Sequence, residues 1–409
     1  MDFIRSFFYK KNLIAFVIGL LSYFKIRILG TFALSEIIAM LFLVPIMVTN
    51  MNWKCGKIGK FAFYAFLWLL GTIISTVING MPLENSMKGS VNVVFLIACI
   101  PFVAWLVYDS PKRLLYFWLG LGISMIYNYY FQKTEILSDE VAAEVWGIYA
   151  YRYLFVAMAC VAYYYDRKRL SYILLVGYGF FSLFYSSRNI FLTHSLAVTA
   201  IVFYDRMIDK GRSDVVYVKN NMWKLLLVLG LAFVVIVNVY ENLAVKGVLG
   251  ERAQEKYLVQ SSASIGLASG RASVLETLYF CAKRPVWGYG SYALDKDNIS
   301  AEYNQRYHTG QSGRGVASLV PGHSYLFGAW VYNGILGFFF FLWVTKCLFK
   351  GIVSTVLYDR RYVFLNVTFI TILLWDVFFS PFQDRILVLM TILPLFYFEK
   401  YYMENREYC

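Results

Sequence analysis

Apolar runs of about 20 residues, the length a helix needs to cross a bilayer, recur along nearly the whole chain. They lie near 11–29, 31–50, 61–80, 89–108, 113–131, 146–165, 169–186, 189–204, 222–240, 325–346, 361–379 and 385–400. Within hydrocarbon each backbone N–H and C=O must be satisfied inside its own segment, so runs of this kind fold as helices. The pattern predicts an all-α polytopic membrane protein with about 12 transmembrane helices. One long polar segment, 241–324, interrupts it between the ninth and tenth runs. With no Gly/Ser linker and no repeat between its halves, the chain reads as a single membrane domain, 1–409, with that loop inside it. A transporter built from two related halves more often keeps its long loop between them. Transport is therefore the weaker expectation.

A net charge of +13 would suggest nucleic acid in a soluble protein, but here its distribution explains it. With the N-terminus placed in the cytoplasm, the inner connections hold more than half of the 38 basic residues, among them Arg167, Lys168 and Arg169. The outer connection at 132–145 is acidic (Glu135, Asp139, Glu140, Glu144). This is the positive-inside pattern, with both termini inside and the loop 241–324 outside. No nucleic-acid partner is implied. The N-terminal run has a basic flank but no small-residue cleavage site, so it reads as a retained helix. Of the six cysteines only Cys281 falls in the loop, which argues against a disulfide framework. No CxxC or HExxH spacing is present, and neither a metal nor a cofactor is expected.

Within the loop, Val274, Leu275, Leu278 and Tyr279 share one helical face, predicting a helix over 272–282 with Ser269 before it. The stretch 295–321 reads as irregular, and Pro321-Gly322 turns the chain into a helix starting near Ser324. Arg271, in the first turn of the loop helix, opposes the helix dipole unless an anion is bound there. Its alternatives are a phosphate-binding guanidinium or a surface residue reaching Glu276. Arg188, in Tyr185-Ser186-Ser187-Arg188-Asn189, occupies a tight outer turn where the charge rule disfavours it. It reads as a clamp on a diphosphate or as a side chain snorkelling to headgroups. His323 sits at a helix N-terminus, where the dipole favours the neutral imidazole that a general base needs. A capping or surface histidine is its other reading. His194 lies inside a run and reads as an interhelical hydrogen-bonding group. Asp376, near the outer end of its run, needs a partner, for which Arg385, Arg188 and His323 are available. The pair Asp295 and Asp297 has the form of a metal-holding pair, though such spacing is common by chance.

Taken in order, Ser186-Ser187-Arg188, Ser269-Gly270-Arg271, Pro285-Val286-Trp287-Gly288-Tyr289-Gly290, Gly322-His323-Ser324-Tyr325-Leu326 and Asn333-Gly334-Ile335-Leu336-Gly337 resemble the motifs of the O-antigen ligase and polymerase superfamily. The likeness covers about 185–345 by motif and the whole chain by helix number and loop placement. It implies a GT-C-like fold, a cavity facing the periplasm of a bacterial inner membrane, and a metal-independent glycosyltransferase. The implied donor is a saccharide carried on undecaprenyl diphosphate, the acceptor a glycolipid, and a chain-length regulator a further partner. Arg188 and Arg271 would hold the diphosphate, His323 would activate the acceptor hydroxyl, and Asp376 and Arg385 would support the site. Polymerisation of O-antigen or capsule units is the leading expectation. Ligation onto lipid A-core is a close alternative; ligases of the family often carry asparagine after the histidine, and Ser324 at that position leaves the two open. A lipid-linked saccharide flippase is the alternative of another class.

Overall fold

The computed structural model describes residues 10–27, 31–49, 57–107, 111–131, 140–185, 187–209, 215–261, 272–307, 318–358 and 363–380. Apart from one short hairpin and the irregular stretches between elements, such as 284–298 and 318–324, these are helical. In order they are α1 (Lys10–Leu21), β1 (Lys25–Arg27), β2 (Thr31–Ala33), α2 (Leu34–Thr49), α3 (Lys57–Ile78), α4 (Leu83–Val107), α5 (Pro111–Phe131) and α6 (Glu140–Tyr164). Then follow α7 (Lys168–Leu183), α8 (Arg188–Asp209), α9 (Val215–Val245), α10 (Glu251–Ser261), α11 (Ala272–Lys283), α12 (Ile299–Tyr307), α13 (Tyr325–Tyr358) and α14 (Val363–Phe379). The final apolar run at 385–400 lies outside the described residues, as do Arg271 and Arg385.

Most apolar runs become helices within a few residues of their expected limits. The first does not. Lys25 and Arg27 end it early, leaving α1 only 12 residues long, roughly 18 Å and too short to span hydrocarbon. The chain then pairs antiparallel, Ile26 opposite Phe32, so the protein is not purely helical. Helix α2 begins directly after, with the Glu36 carboxylate reaching back to the Ala33 N–H at 2.9 Å in the manner of a capping box.

Among the described residues, three stretches are long and apolar enough to cross a membrane: Lys60–Ile78, Leu227–Val245 and Tyr325–Phe349. Large apolar side chains such as Leu231, Val235, Phe66 and Ile173 are exposed. Faces of that kind suit a lipid surround. The architecture is thus that of an α-helical membrane protein. Helices α5, α6, α7 and α8 pack in sequence, and α3, α4 and α13 form the other side. Helix α14 fills the middle and is buried along nearly its whole length, as expected of a helix apolar all round. Small residues allow close approach elsewhere: a side chain at Gly120 of α5 would run into the Phe16 carbonyl of α1. At the end away from the loop, the buried Asp205 carboxylate of α8 takes the Tyr163 and Tyr172 hydroxyls at 2.7 and 2.5 Å and Lys168 at 3.3 Å, tying α6, α7 and α8 together.

The loop is stitched into the bundle through a break in α13. At Gly334 the backbone takes φ 66° and ψ −165°, interrupting the helical ladder. The carbonyls released just before the break, Val331 and Tyr332, accept the N–H groups of Tyr289 and Gly290 at 2.8 and 3.0 Å. Ile335 N–H in turn donates to Val286 O at 3.0 Å. Helix α3 completes the seam: the Ser75 hydroxyl donates to Tyr332 O at 2.8 Å and the Asn79 amide to Gly288 O at 3.1 Å. A side chain at Gly334 would strike the Val286 carbonyl, and one at Gly288 (φ 67°) would come within 2.6 Å of Val331 O. The two glycines of the motifs Pro285–Gly290 and Asn333–Gly337 are therefore the two faces of one backbone contact.

Candidate functional site

Helix α13 starts at Tyr325 because Ser324 caps it. The Ser324 hydroxyl oxygen accepts the Phe327 N–H at 3.1 Å, satisfying one of the orphan donors of the first turn. The same hydroxyl donates to the Val377 carbonyl at the loop end of α14 at 2.8 Å. Ser324 is fully buried, so the cap is also the joint between α13 and α14. One residue earlier, the His323 backbone N–H donates to Thr277 Oγ1 on loop helix α11 at 3.2 Å. The Thr277 hydroxyl is itself within reach of the Ser273 and Pro321 carbonyls at 2.8 and 3.3 Å. His323 thus stands where the loop helix, the start of α13 and the end of α14 meet, and it is half-buried there.

Asp376 adjoins that joint. It is buried, and its Oδ1 accepts the Ser380 hydroxyl at 2.7 Å. Its cationic neighbour is Arg152 of α6, at 3.9 Å. Sequence reasoning offers Arg385, Arg188 or His323 for this role and does not single out Arg152. The signal is nonetheless there, since an arginine in the middle of an apolar run costs about 2.5–3.5 kcal/mol to insert and calls for a partner. Both side chains are almost wholly enclosed. At 3.9 Å the pair is beyond hydrogen-bond distance and lacks the bidentate fork that makes arginine–carboxylate contacts strong. Each charge prevents the other from being buried alone, which would cost about 3–5 kcal/mol.

His194 of α8 completes the cluster. It is fully buried against the Tyr178 ring at 5.9 Å, and the Arg152 charge acts on it. The Leu175 carbonyl of α7 is near. Neither ring nitrogen, however, makes a hydrogen bond of normal geometry among the described residues. Its interhelical contact is thus a loose one to the Leu175 carbonyl rather than a hydrogen bond of full geometry among the described residues. Such an unsatisfied buried group costs about 1–3 kcal/mol and calls for an explanation.

Arg188, the first residue of α8, sits elsewhere. Its guanidinium lies over the Tyr240 ring of α9 at 5.0 Å, a cation–π contact. His194, six residues on, is turned about 240° away and faces α6 and α7. The structure therefore brings His323 and Asp376 to one junction and sets Arg188 at a neighbouring corner, packed on Tyr240.

The rest of the loop supports this junction. The acidic pair of 295–297 is divided between two tasks. Asp295 is buried, and its two oxygens accept the N–H groups of Ile299 and Ser300 at 3.0 and 2.9 Å, capping α12. Asp297 pairs with Arg284 at 3.0 Å, and Arg284 also donates to Asn79 of α3 at 2.7 Å. The stretch expected to be irregular thus contains a helix, Ile299–Tyr307. Asp295→Ala is expected to cost about 1–2 kcal/mol locally, read as faster hydrogen exchange across 299–307. Asp297→Ala, removing an exposed pair, is expected to shift exchange far less. Glu302 of α12 takes the Tyr279 hydroxyl at 2.6 Å and Lys283 at 3.0 Å, which together hold its carboxyl below the usual value. This clasp contributes above the ordinary carboxylate range and is lost as pH falls through the lowered value. Burial pushes the Cys281 thiol up to about 12, so it offers no thiolate nucleophile. A cleft of about 290 Å³ beside Asn79, Arg284 and Trp287 contains none of the expected site residues.

Comparison of the chain with family models, with curated proteins and with solved structures gives no match in any of the three.

Proposed function

We propose that the protein transfers glycosyl units from a saccharide carried on a polyprenyl diphosphate, joining O-antigen or capsule repeat units at the periplasmic face of a bacterial inner membrane. The observation that carries this reading is the setting of His323. A half-buried imidazole is held by its backbone between a polar loop helix and the buried end of a membrane helix, one residue from a joint that also carries a buried carboxylate. The order of motifs along the chain supports it, as does the pairing of Gly288 with Gly334 across the loop seam. On this reading the fold is GT-C-like with about 12 spans, and the loop faces the periplasm.

The chemistry balances without a nucleotide. The acceptor hydroxyl gives its proton to the His323 imidazole as its oxygen attacks the anomeric carbon. The bond from that carbon to the diphosphate oxygen breaks, and the leaving diphosphate keeps the electron pair. Arg188 and Arg271 stabilise the departing charge. A single displacement inverts the anomeric centre, and no pair of carboxylates is needed for a covalent intermediate.

A second reading, a flippase for the same lipid, is favoured by one observation. Arg152, His194 and Asp376 are charged or ionisable groups within the helices, as a central path would require. The sugar ladder on lipopolysaccharide in a strain lacking the gene separates the readings. Single repeat units on the core are the expected result. Bare core with accumulated polymer identifies a ligase, and donor trapped on the cytoplasmic side identifies a flippase.

A further inference from the structure

We propose that the cleft beside Asn79, Arg284 and Trp287 binds the headgroup of a bilayer phospholipid, and that the headgroup it selects is a zwitterion carrying a primary ammonium. The cleft shares no residue with the proposed transfer site, so the two readings stand or fall separately.

Its depth points to a lipid. Ile78, which lines the cleft, is the last residue of the membrane-length stretch Lys60–Ile78. The cleft therefore sits where hydrocarbon gives way to water, the level at which tryptophan is enriched. Ile78, Val286 and Trp287 are about half exposed there. Phe66, Ile73 and Val77 carry that exposed apolar surface down one face of α3 at helical spacing. At about 290 Å³ the cleft is at the small end of the range for ligand sites. That volume takes a headgroup and leaves the acyl chains to the stripe on α3.

The polar groups choose the headgroup. Arg284 lies over the Tyr289 ring at 4.7 Å and donates to Asn79 Oδ1 at 2.7 Å and to Asp297 Oδ2 at 3.0 Å. A guanidinium has five N–H groups, so this one is held in place with donors to spare for a phosphate. Asp297 takes that bond on Oδ2 alone among the described residues, which leaves Oδ1 for a further donor. Both side chains are about half exposed, within reach of a ligand. A zwitterion matches the pair, its phosphate on Arg284 and its ammonium on Asp297. An anionic headgroup sets a second negative charge beside Asp297. A quaternary ammonium has no N–H to donate there. Val286, which lines the cleft, also accepts the Ile335 N–H, so a lipid held here would brace the seam at Gly334.

The competing explanation is an exposed ion pair that only ties the end of α11 to the segment before α12. The full chain, purified in detergent, is given an equimolar mixture of phosphatidylethanolamine, phosphatidylcholine and phosphatidylglycerol with identical acyl chains. Native mass spectrometry reads which lipid it retains. Phosphatidylethanolamine is expected to exceed each of the others by about 5-fold, the scale of one charge-assisted hydrogen bond at a half-exposed site. Asp297→Ala is expected to bring phosphatidylcholine level with it and to raise phosphatidylglycerol, because the repelling charge is gone. Arg284→Gln is expected to lower retention of all three by about 5-fold or more. Glu302→Gln removes a comparably exposed carboxylate elsewhere on the loop and is expected to leave the ratios unchanged. These side chains are at the surface, and their loss is expected to leave the fold intact. Equal retention of the three lipids by the unmodified protein leaves the cleft to a soluble ligand and overturns the proposal. A preference for phosphatidylglycerol overturns it, as does a preference for phosphatidylethanolamine that survives Asp297→Ala or is erased equally by Glu302→Gln.

Discussion

With His323 as the base of the proposed glycosyl transfer, His323→Ala is expected to lower that transfer by about 10²–10⁴-fold, the usual contribution of a positioned general base. Thermal stability and membrane insertion are expected to stay near those of the unmodified protein. The reason lies in which atoms hold the residue. Its contact with Thr277 is made by the backbone N–H, and the neighbouring joint to α14 is made by Ser324. Truncating the imidazole leaves both in place. The check is an in vitro assay with lipid-linked repeat units, scored by product ladder, alongside unfolding followed by tryptophan fluorescence. Transfer within about 3-fold of the unmodified level would place the base elsewhere, since a general base is worth far more than that.

Gly334→Val is expected to destabilise the folded protein by about 3 kcal/mol or more, through left-handed strain and overlap acting together. The backbone there has φ 66°, and an added Cβ would meet the Val286 carbonyl and come within 3.0 Å of Trp287 Cα. The loop segment must retreat, which breaks the hydrogen bond from Ile335 to Val286 and strains those from Tyr289 and Gly290. Gly177→Ala and Gly230→Ala serve as controls. Both sites are helical, and a methyl group added at either would have nothing within 4 Å. There the smaller entropy loss on folding is expected to leave stability unchanged or raised by about 0.5–1 kcal/mol. Comparable loss in all three would mean that the break at Gly334 has no special standing.

The helices are legible in the sequence because a bilayer imposes a length and a composition on any run that crosses it. Hence α2, α3, α5 and α14 fall close to their expected limits, whereas α13 continues to Tyr358, well past the expected end at 346. The hairpin at 25–33 escapes such a reading because the apolar character of the region outweighs two basic residues in it. Helix α12 escapes it because its sequence is polar. Its signal is Asp295, four residues before Ile299, which reads as a capping acid once the helix is known. For the site, the joint at Ser324 follows from local sequence, whereas the partners are tertiary. Nothing in the residues around Arg188 points to Tyr240, 52 positions away, and nothing near Asp376 points to Arg152. Arg271 and Arg385 lie outside the described residues, so the clamp expected of Arg188 with Arg271 rests on the motif likeness.

The seam at Gly334 also sets a timetable for biosynthesis. Ser75 and Asn79 leave the ribosome in α3, while their partners, Tyr332 and Gly288, follow 257 and 209 residues later. At about 5–20 residues per second, α3 waits on the order of 10–50 seconds with those polar groups facing whatever is at hand. Until the loop has been made and α13 inserted, the early spans lack their closing contact. A chain cut short before residue 334 would therefore present an open edge to the cell's quality control. Insertion factors that shelter polar side chains in young helices would be needed most by the first third of this protein.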